Sequence, residues 1–230
     1  DFSVEAGDYL CIVGENGSGK STLMKTLLGL IPPLAGEIVF GEGLGKNSIG
    51  YLPQQELSRR DFPASVREVV QSGCVAGAPY RPFYTKAQKM RAADSMARMR
   101  ISDIADESFC RLSGGQKQRL SIARAIAKNP KVYIFDDSFS ALDYKTDVAL
   151  RAALKENTQD STVIIVAQRI STILHAEQII VLDDGEVAGI GTHKELLKSC
   201  EAYYQIASSQ LSETELARDL NDETDGKEEA

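Results

Sequence analysis

The chain has 230 residues, 43% of them apolar, and a net charge of −7, enough apolar material for the core of one large domain or two small ones. No run of about 18 apolar residues occurs, and the opening DFSVEAGDYL lacks the basic and apolar regions of a secretory signal, so the sequence predicts a soluble globular protein in which nothing spans a membrane. Four scattered cysteines without paired metal-ligand spacing read as free thiols of a reducing cytosol, and with no basic stripe interleaved with aromatics, nucleic acid is excluded as a partner.

In chain order, YLCIV (9 to 13) predicts a buried strand. It runs straight into GENGSGKST, residues Gly14, Glu15, Asn16, Gly17, Ser18, Gly19, Lys20, Ser21 and Thr22, which fits G-x-x-x-x-G-K-[ST]. LMKTLLGLI behind it supplies a helix. In such a loop the glycines let backbone N–H groups turn inward around phosphates, Lys20 brings a point charge to the outer phosphates, and the helix N-terminus adds the positive end of its dipole. Ser21 is placed to ligate Mg²⁺. EIVF (37 to 40) predicts a further strand, and TKAQKMRAADSMARMRISDIADE (85 to 107), which has neither Gly nor Pro, predicts helix within an insertion of about 60 to 115. VYIF (132 to 135) is a strand ending in Asp136, the carboxylate that a phosphate-loop site needs for Mg²⁺. TVIIVA (162 to 167) and QIIVL (178 to 182) are two more strands, and Asp-Gly within VLDDGEVAGI predicts a hairpin. Apolar strands alternating with helices give an α/β fold of the P-loop NTPase class: a mainly parallel sheet flanked by helices, with an antiparallel part and a helical subdomain. The last segment, 211 to 230, has eight acidic against two basic residues and so carries −6 of the net charge; it reads as an acidic tail, a solvated helix end fraying into disorder, behind a domain of residues 1 to 210.

RLSGGQKQRLSIARAIAKNP (111 to 130) puts Ser-Gly-Gly at a helix start, a second potential anion site in which Ser113 caps the helix and N–H groups behind Gly114 and Gly115 face outward. With Leu112, Ser113, Gly114, Gly115 and Gln116 reading Leu-Ser-Gly-Gly-Gln, the chain resembles the nucleotide-binding domains of ATP-binding cassette (ABC) transporters over almost its whole length. IGYLPQQ resembles the family's Q-loop with Gln54 as its glutamine, and SALD its D-loop with Asp143 at the dimer interface. The resemblance implies ATP and Mg²⁺ as cofactors, with Ser21, Gln54 and Asp136 around the metal. It also implies a head-to-tail pair in which the phosphate loop of one domain and the signature of a second nucleotide-binding domain sandwich each ATP. Transmembrane domains, reached through the region between Gln54 and the signature, would carry the substrate, and the domain would sit at the cytoplasmic face of the membrane.

The sequence departs from the hydrolytic pattern twice. Family members with full activity generally place Glu after the strand-ending Asp and His in the switch loop after the next strand; this chain has Asp137 and Gln168 there. Asp is one methylene shorter, and a misplacement near 1 Å of a positioning group can lower a rate about a hundredfold. Gln168 can hydrogen-bond a γ-phosphate but carries no titratable proton. These changes, in FDDSFSALD and VAQRIST, resemble the degenerate subunit of bacterial heterodimeric exporters, whereas residues 1 to about 108 resemble a metal-ion importer. The family's adenine-stacking aromatic lies upstream of residue 1, and the aromatics at hand, Phe2 and Tyr9, read as core residues. Two other readings remain: a soluble ABC ATPase acting on ribosomes or DNA, which would bring two fused cassettes, a coiled-coil insertion or a basic patch, none of them present in the sequence, and a nucleotide-dependent kinase, in which LSGGQ would have no role.

Overall fold

A computed structural model describes residues 2–45, 48–53, 63–75, 83–136, 161–170, 173–174 and 176–221. Strand β1 (Tyr9–Gly14) lies between β4 (Thr162–Val166) and β5 (Gln178–Asp183), and the six-stranded sheet continues through β3 (Val132–Asp136) to β2 (Ile49–Leu52) on one side and to β6 (Glu186–Gly191) on the other. All neighbours are parallel except β5 and β6. The interiors of β1, β3, β4 and β5 read as unbroken apolar runs because both faces are covered there, whereas β6 is largely exposed. Cys11, Val13, Tyr133, Phe135 and Ile165 point into one core, while Leu10, Ile12, Ile134, Ile164 and Val166 point into the other with Met24 of α1 (Lys20–Leu27). Phe2 packs against the second core and Tyr9 against the first, as their reading as core residues expects.

The first core continues into a layer of helices. Helix α2 (Val66–Gly73) and α3 (Lys86–Arg98) pack on α4 (Gly114–Lys128), and Ser65, Thr85 and Ser113 each cap one of them with a reciprocal capping box. The helix expected over 85 to 107 stops at Arg98. Arg100 takes a left-handed φ of 54°, its N–H donates to the Ala97 carbonyl, and the Ile101 N–H donates to that of Met96, a Schellman ending made without glycine. Asp184 (φ 48°) and Gly185 (φ 84°) close the expected β5–β6 hairpin, both in the left-handed region that a two-residue I′ turn requires.

Two expectations are corrected. Residues 37–40 form no strand: none of the described segments pairs with them, and an extended run without a hydrogen-bonding neighbour gains nothing from being one, so Val39 and Phe40 stay exposed. The helix end expected within 211 to 230 is docked rather than solvated. After α5 (His193–Ser199) and α6 (Glu201–Ser208), helix α7 (Glu213–Asn221) is started by Ser212 and Glu215, buries Leu216 in the first core and contacts α5. Asp219 of the same helix faces inward, its carboxylate 3.2 Å from Nε2 of the buried His193, while Glu215 is exposed. Residues 222–230 lie outside the described residues. Cys11, Cys74 and Cys200 are buried and Cys110 is exposed, and none of the four is in a disulfide.

Candidate functional site

The carboxyl end of β1 opens into the loop that the sequence marks. A Cβ at Gly14 would run into the Leu182 carbonyl of β5 and the Ser18 hydroxyl, so only glycine lets the chain leave the sheet here. The loop re-enters helix at Gly19, whose φ of 93° and lack of a side-chain cap leave the first-turn N–H groups of α1 directed at the loop's hollow. Lys20 is buried, and its ammonium donates to the carbonyls of Gly14 (2.8 Å) and Glu15 (2.5 Å) and to Ser18 Oγ (3.3 Å). The loop's own carbonyls thus hold the cation in place behind the hollow.

A cavity of about 190 Å³ sits against this loop, lined by Asn16, Gly17, Gly19, Lys20, Ser21, Thr22, Asp136, Val166 and Gln168. Parallel pairing of β1 with β4 and of β4 with β3 explains how residues so far apart in sequence meet: Asp136 and Val166 are register partners at the same end of the sheet. Asp136 is buried and accepts a hydrogen bond from the Tyr51 hydroxyl of β2 at 3.1 Å. Burial first, then the Asp136 charge and that hydrogen bond, push the Tyr51 phenol up to about 12, so Tyr51 remains a neutral donor. The Ser21 hydroxyl and the Asp136 carboxylate are hard oxygen donors lining one cavity, which fits Mg²⁺. Among the described residues no group of three or more His, Cys, Asp or Glu side chains could hold a metal by itself.

Of the expected site residues, Asn16, Gly17, Gly19, Lys20, Ser21, Thr22, Asp136 and Gln168 therefore converge, with Gly14, Glu15 and Ser18 shaping the loop behind them. Gln54, Asp137 and Asp143 lie outside the described residues. The segment Leu112 to Gln116 does not line this cavity. Leu112 is buried, Ser113 Oγ accepts from the Gln116 N–H (3.3 Å), Gln116 Oε1 accepts from the Ser113 N–H (2.8 Å), and open space surrounds Gly114 and Gly115 where a side chain would be. Sequence reasoning missed two residues. Tyr51 could be found only from the pairing of β2 with β3, which sets it opposite Ile134. Gln210, more than forty residues beyond Gln168, donates from Nε2 to the Gln168 carbonyl (2.7 Å) and accepts from the Ile170 N–H (2.9 Å); nothing near it in the sequence announces that role.

Comparison with known proteins gives this geometry its context. A family model described as ABC transporter matches residues 1–140. An uncharacterized ABC transporter ATP-binding protein of Mycobacterium tuberculosis is 36% identical over 226 residues, covering 91% of this chain and 38% of that protein. A probable multidrug resistance ABC transporter ATP-binding/permease protein of Bacillus subtilis is 37% identical over 206 residues, covering 85% and 34%. The chain spans about a third of the length of these curated relatives. Among solved structures, a bacterial Atm1-family ABC exporter with ATP bound superposes with a TM-score of 0.78 at 28% identity, covering 93% of this chain and 38% of that one. A metal-chelate type ABC transporter in an inward-facing conformation gives 0.77 at 28% identity, covering 89% and 80%. With a phosphate loop, a strand-ending carboxylate and a Leu-Ser-Gly-Gly-Gln helix carried on a P-loop NTPase sheet, and a family match over more than half its length, the chain belongs to the ABC transporter family.

Proposed function

We propose that this chain is the ATP-binding and ATP-hydrolysing part of an ABC transporter, working at the cytoplasmic face of a membrane. It binds Mg²⁺-ATP in the cavity at the carboxyl end of β1, pairs head to tail with a second nucleotide-binding domain, and passes closure of the pair to transmembrane domains. The single observation that carries this reading is the convergence of the loop Asn16 to Thr22, Asp136 and Gln168 on one cavity. In it, N–H groups of Ser21 and Thr22 at the start of α1 and the Lys20 ammonium receive the phosphates, and Ser21 with Asp136 holds the cation. Mg²⁺ held there by Ser21 and Asp136 would neutralise charge on the transferring phosphate. Gln168 faces the place of the outermost phosphate as a neutral hydrogen-bonding group. Because Asp137 and Gln168 stand where Glu and His serve the hydrolytic members, this site turns over slowly and mainly clamps its nucleotide. The Leu112 to Gln116 segment, turned away from the chain's own cavity, serves the nucleotide held by the partner. ATP then favours the closed pair by contacting both domains, and hydrolysis releases it.

A relative named as an ATP-binding/permease protein, of which this chain matches a third, supports partnership with membrane domains, and a heterodimer is favoured over a homodimer because a slow site needs a competent one beside it. Lys20→Ala tests the reading. It removes the charge aimed at the outer phosphates, so affinity for a labelled ATP analogue should fall by at least about tenfold. Unchanged affinity would refute the site.

A further inference from the structure

The switch segment after β4 is held from outside the sheet by one side chain that the nucleotide site does not contain. Gln210 spans two backbone groups on either side of Arg169: its Nε2 donates to the Gln168 carbonyl at 2.7 Å and its Oε1 accepts from the Ile170 N–H at 2.9 Å. A primary amide presents a donor and an acceptor side by side, so this is the two-bond pairing that a neighbouring strand would give, made here by a side chain. On the opposite side the segment is tied to the sheet, because the Ala167 N–H donates to the Ile12 carbonyl (3.0 Å) of the strand that leads into the phosphate loop. Gln168 lines the nucleotide cavity between these two attachments.

Gln210 is itself well anchored. Its own N–H donates to the Ala207 carbonyl (3.0 Å) at the end of α6, and the Leu211 N–H donates to the same carbonyl (2.9 Å). Two residues later Ser212 starts α7 with a capping box, and α7 is fixed to the domain by buried Leu216 and by Asp219, whose carboxylate lies 3.2 Å from Nε2 of the buried His193 in α5. His193 Nδ1 meets the buried Tyr203 hydroxyl of α6 at 2.7 Å, so one polar chain joins α5, α6 and α7. Gln210 therefore reaches the switch segment from between two docked helices rather than from a loose loop.

We propose that Gln210 is a positioning residue for the nucleotide site: it sets the backbone of residues 168 to 170 and so aims Gln168 at the outermost phosphate. The consequence for the nucleotide rests on the γ-phosphate role given to Gln168 above; the hold on the backbone does not. Gln210→Leu keeps the length of the side chain and removes both hydrogen bonds. In the intact protein it should speed amide hydrogen exchange of the 167 to 170 segment. It should also weaken ATP about fivefold, the usual worth of one hydrogen bond, while leaving ADP affinity within about twofold. Gln168→Ala should lower the ATP-to-ADP preference by a similar factor, and the double variant should show little further loss, because the two residues act through one contact. Gln210→Glu retains the acceptor for Ile170 but loses the donor to the Gln168 carbonyl, and should show the same lost preference. If exchange of the segment does not change in Gln210→Leu, the proposal is overturned. If exchange rises, Gln168→Ala lowers the preference and Gln210→Leu weakens ATP and ADP alike, Gln210 is merely structural and the proposal is also overturned. If Gln168→Ala alone leaves the preference untouched, the γ-phosphate role of Gln168 fails, and the hold of Gln210 on the segment is decided by exchange alone.

Discussion

Asp136 and its successor show how much chemistry rests on single side chains. Asp136 is buried, accepts from the Tyr51 hydroxyl and lines the same cavity as Ser21, which fits a pair of Mg²⁺ ligands. One position on, the sequence has Asp137 where the proposed function expects a Glu in hydrolytic members, and Gln168, which lines the cavity, stands where it expects a His. Neither change removes a phosphate-binding group, so affinity and turnover should separate. The double substitution Asp137→Glu with Gln168→His should raise turnover in the assembled transporter on the order of ten- to a hundredfold, with ATP affinity little changed. A steady-state assay under saturating ATP checks this; no rise would place the limit elsewhere than in these two side chains.

Capping is the recurrent device among the helices. Ser65 with Glu68, Thr192 with Glu195 and Ser212 with Glu215 each pair a hydroxyl and a carboxylate across the first turn. Hydrogen bonds from Ser65, Thr192 and Ser212 hold these three carboxyls below their ordinary 4.5. In the folded state they bind fewer protons than the unfolded chain does. The stabilisation is therefore complete above 4.5 and is lost as pH falls through the lowered folded values. The urea midpoint should drop between about pH 6 and about pH 3, and drop less in a variant carrying Glu68→Gln, Glu195→Gln and Glu215→Gln, because glutamine keeps a cap that does not titrate. Equal drops in both proteins would remove the boxes from the account. The same elements show what was legible in the sequence. The phosphate loop, the strand ending in Asp136 and the Asp184–Gly185 hairpin are local patterns, readable because the residue types that form them are contiguous. The end of α3 was not readable, since Arg100 adopts the conformation that a glycine would have announced. Nor was the docking of α7, where an acidic composition reads as solvated although Leu216 is buried in the core and Asp219 meets the buried His193. Tyr51 and Gln210 act across the fold, on residues 85 and 42 positions away, and only tertiary pairing could reveal them.

For the molecule as a whole, the parallel sheet does one thing: it brings the phosphate loop, Asp136 and Gln168 to the same edge, while the capped start of α4 presents Ser113, Gly114 and Gly115 elsewhere. The head-to-tail pair proposed above would give Asp137 and Gln168 on one side and the Leu112 to Gln116 signature on the other separate tasks. In that proposal the chain clamps ATP in its own site and completes the partner's site, which does most of the hydrolysis. The most direct test compares two single substitutions in the assembled transporter, measuring total ATP turnover. Ser113→Arg puts charge and bulk where the partner's nucleotide would lie and should reduce turnover more than tenfold, whereas Asp137→Ala alters only the slow site and should change it less than about twofold. Loss of turnover in Asp137→Ala with little effect of Ser113→Arg would contradict the account and make this chain's own cavity the working site.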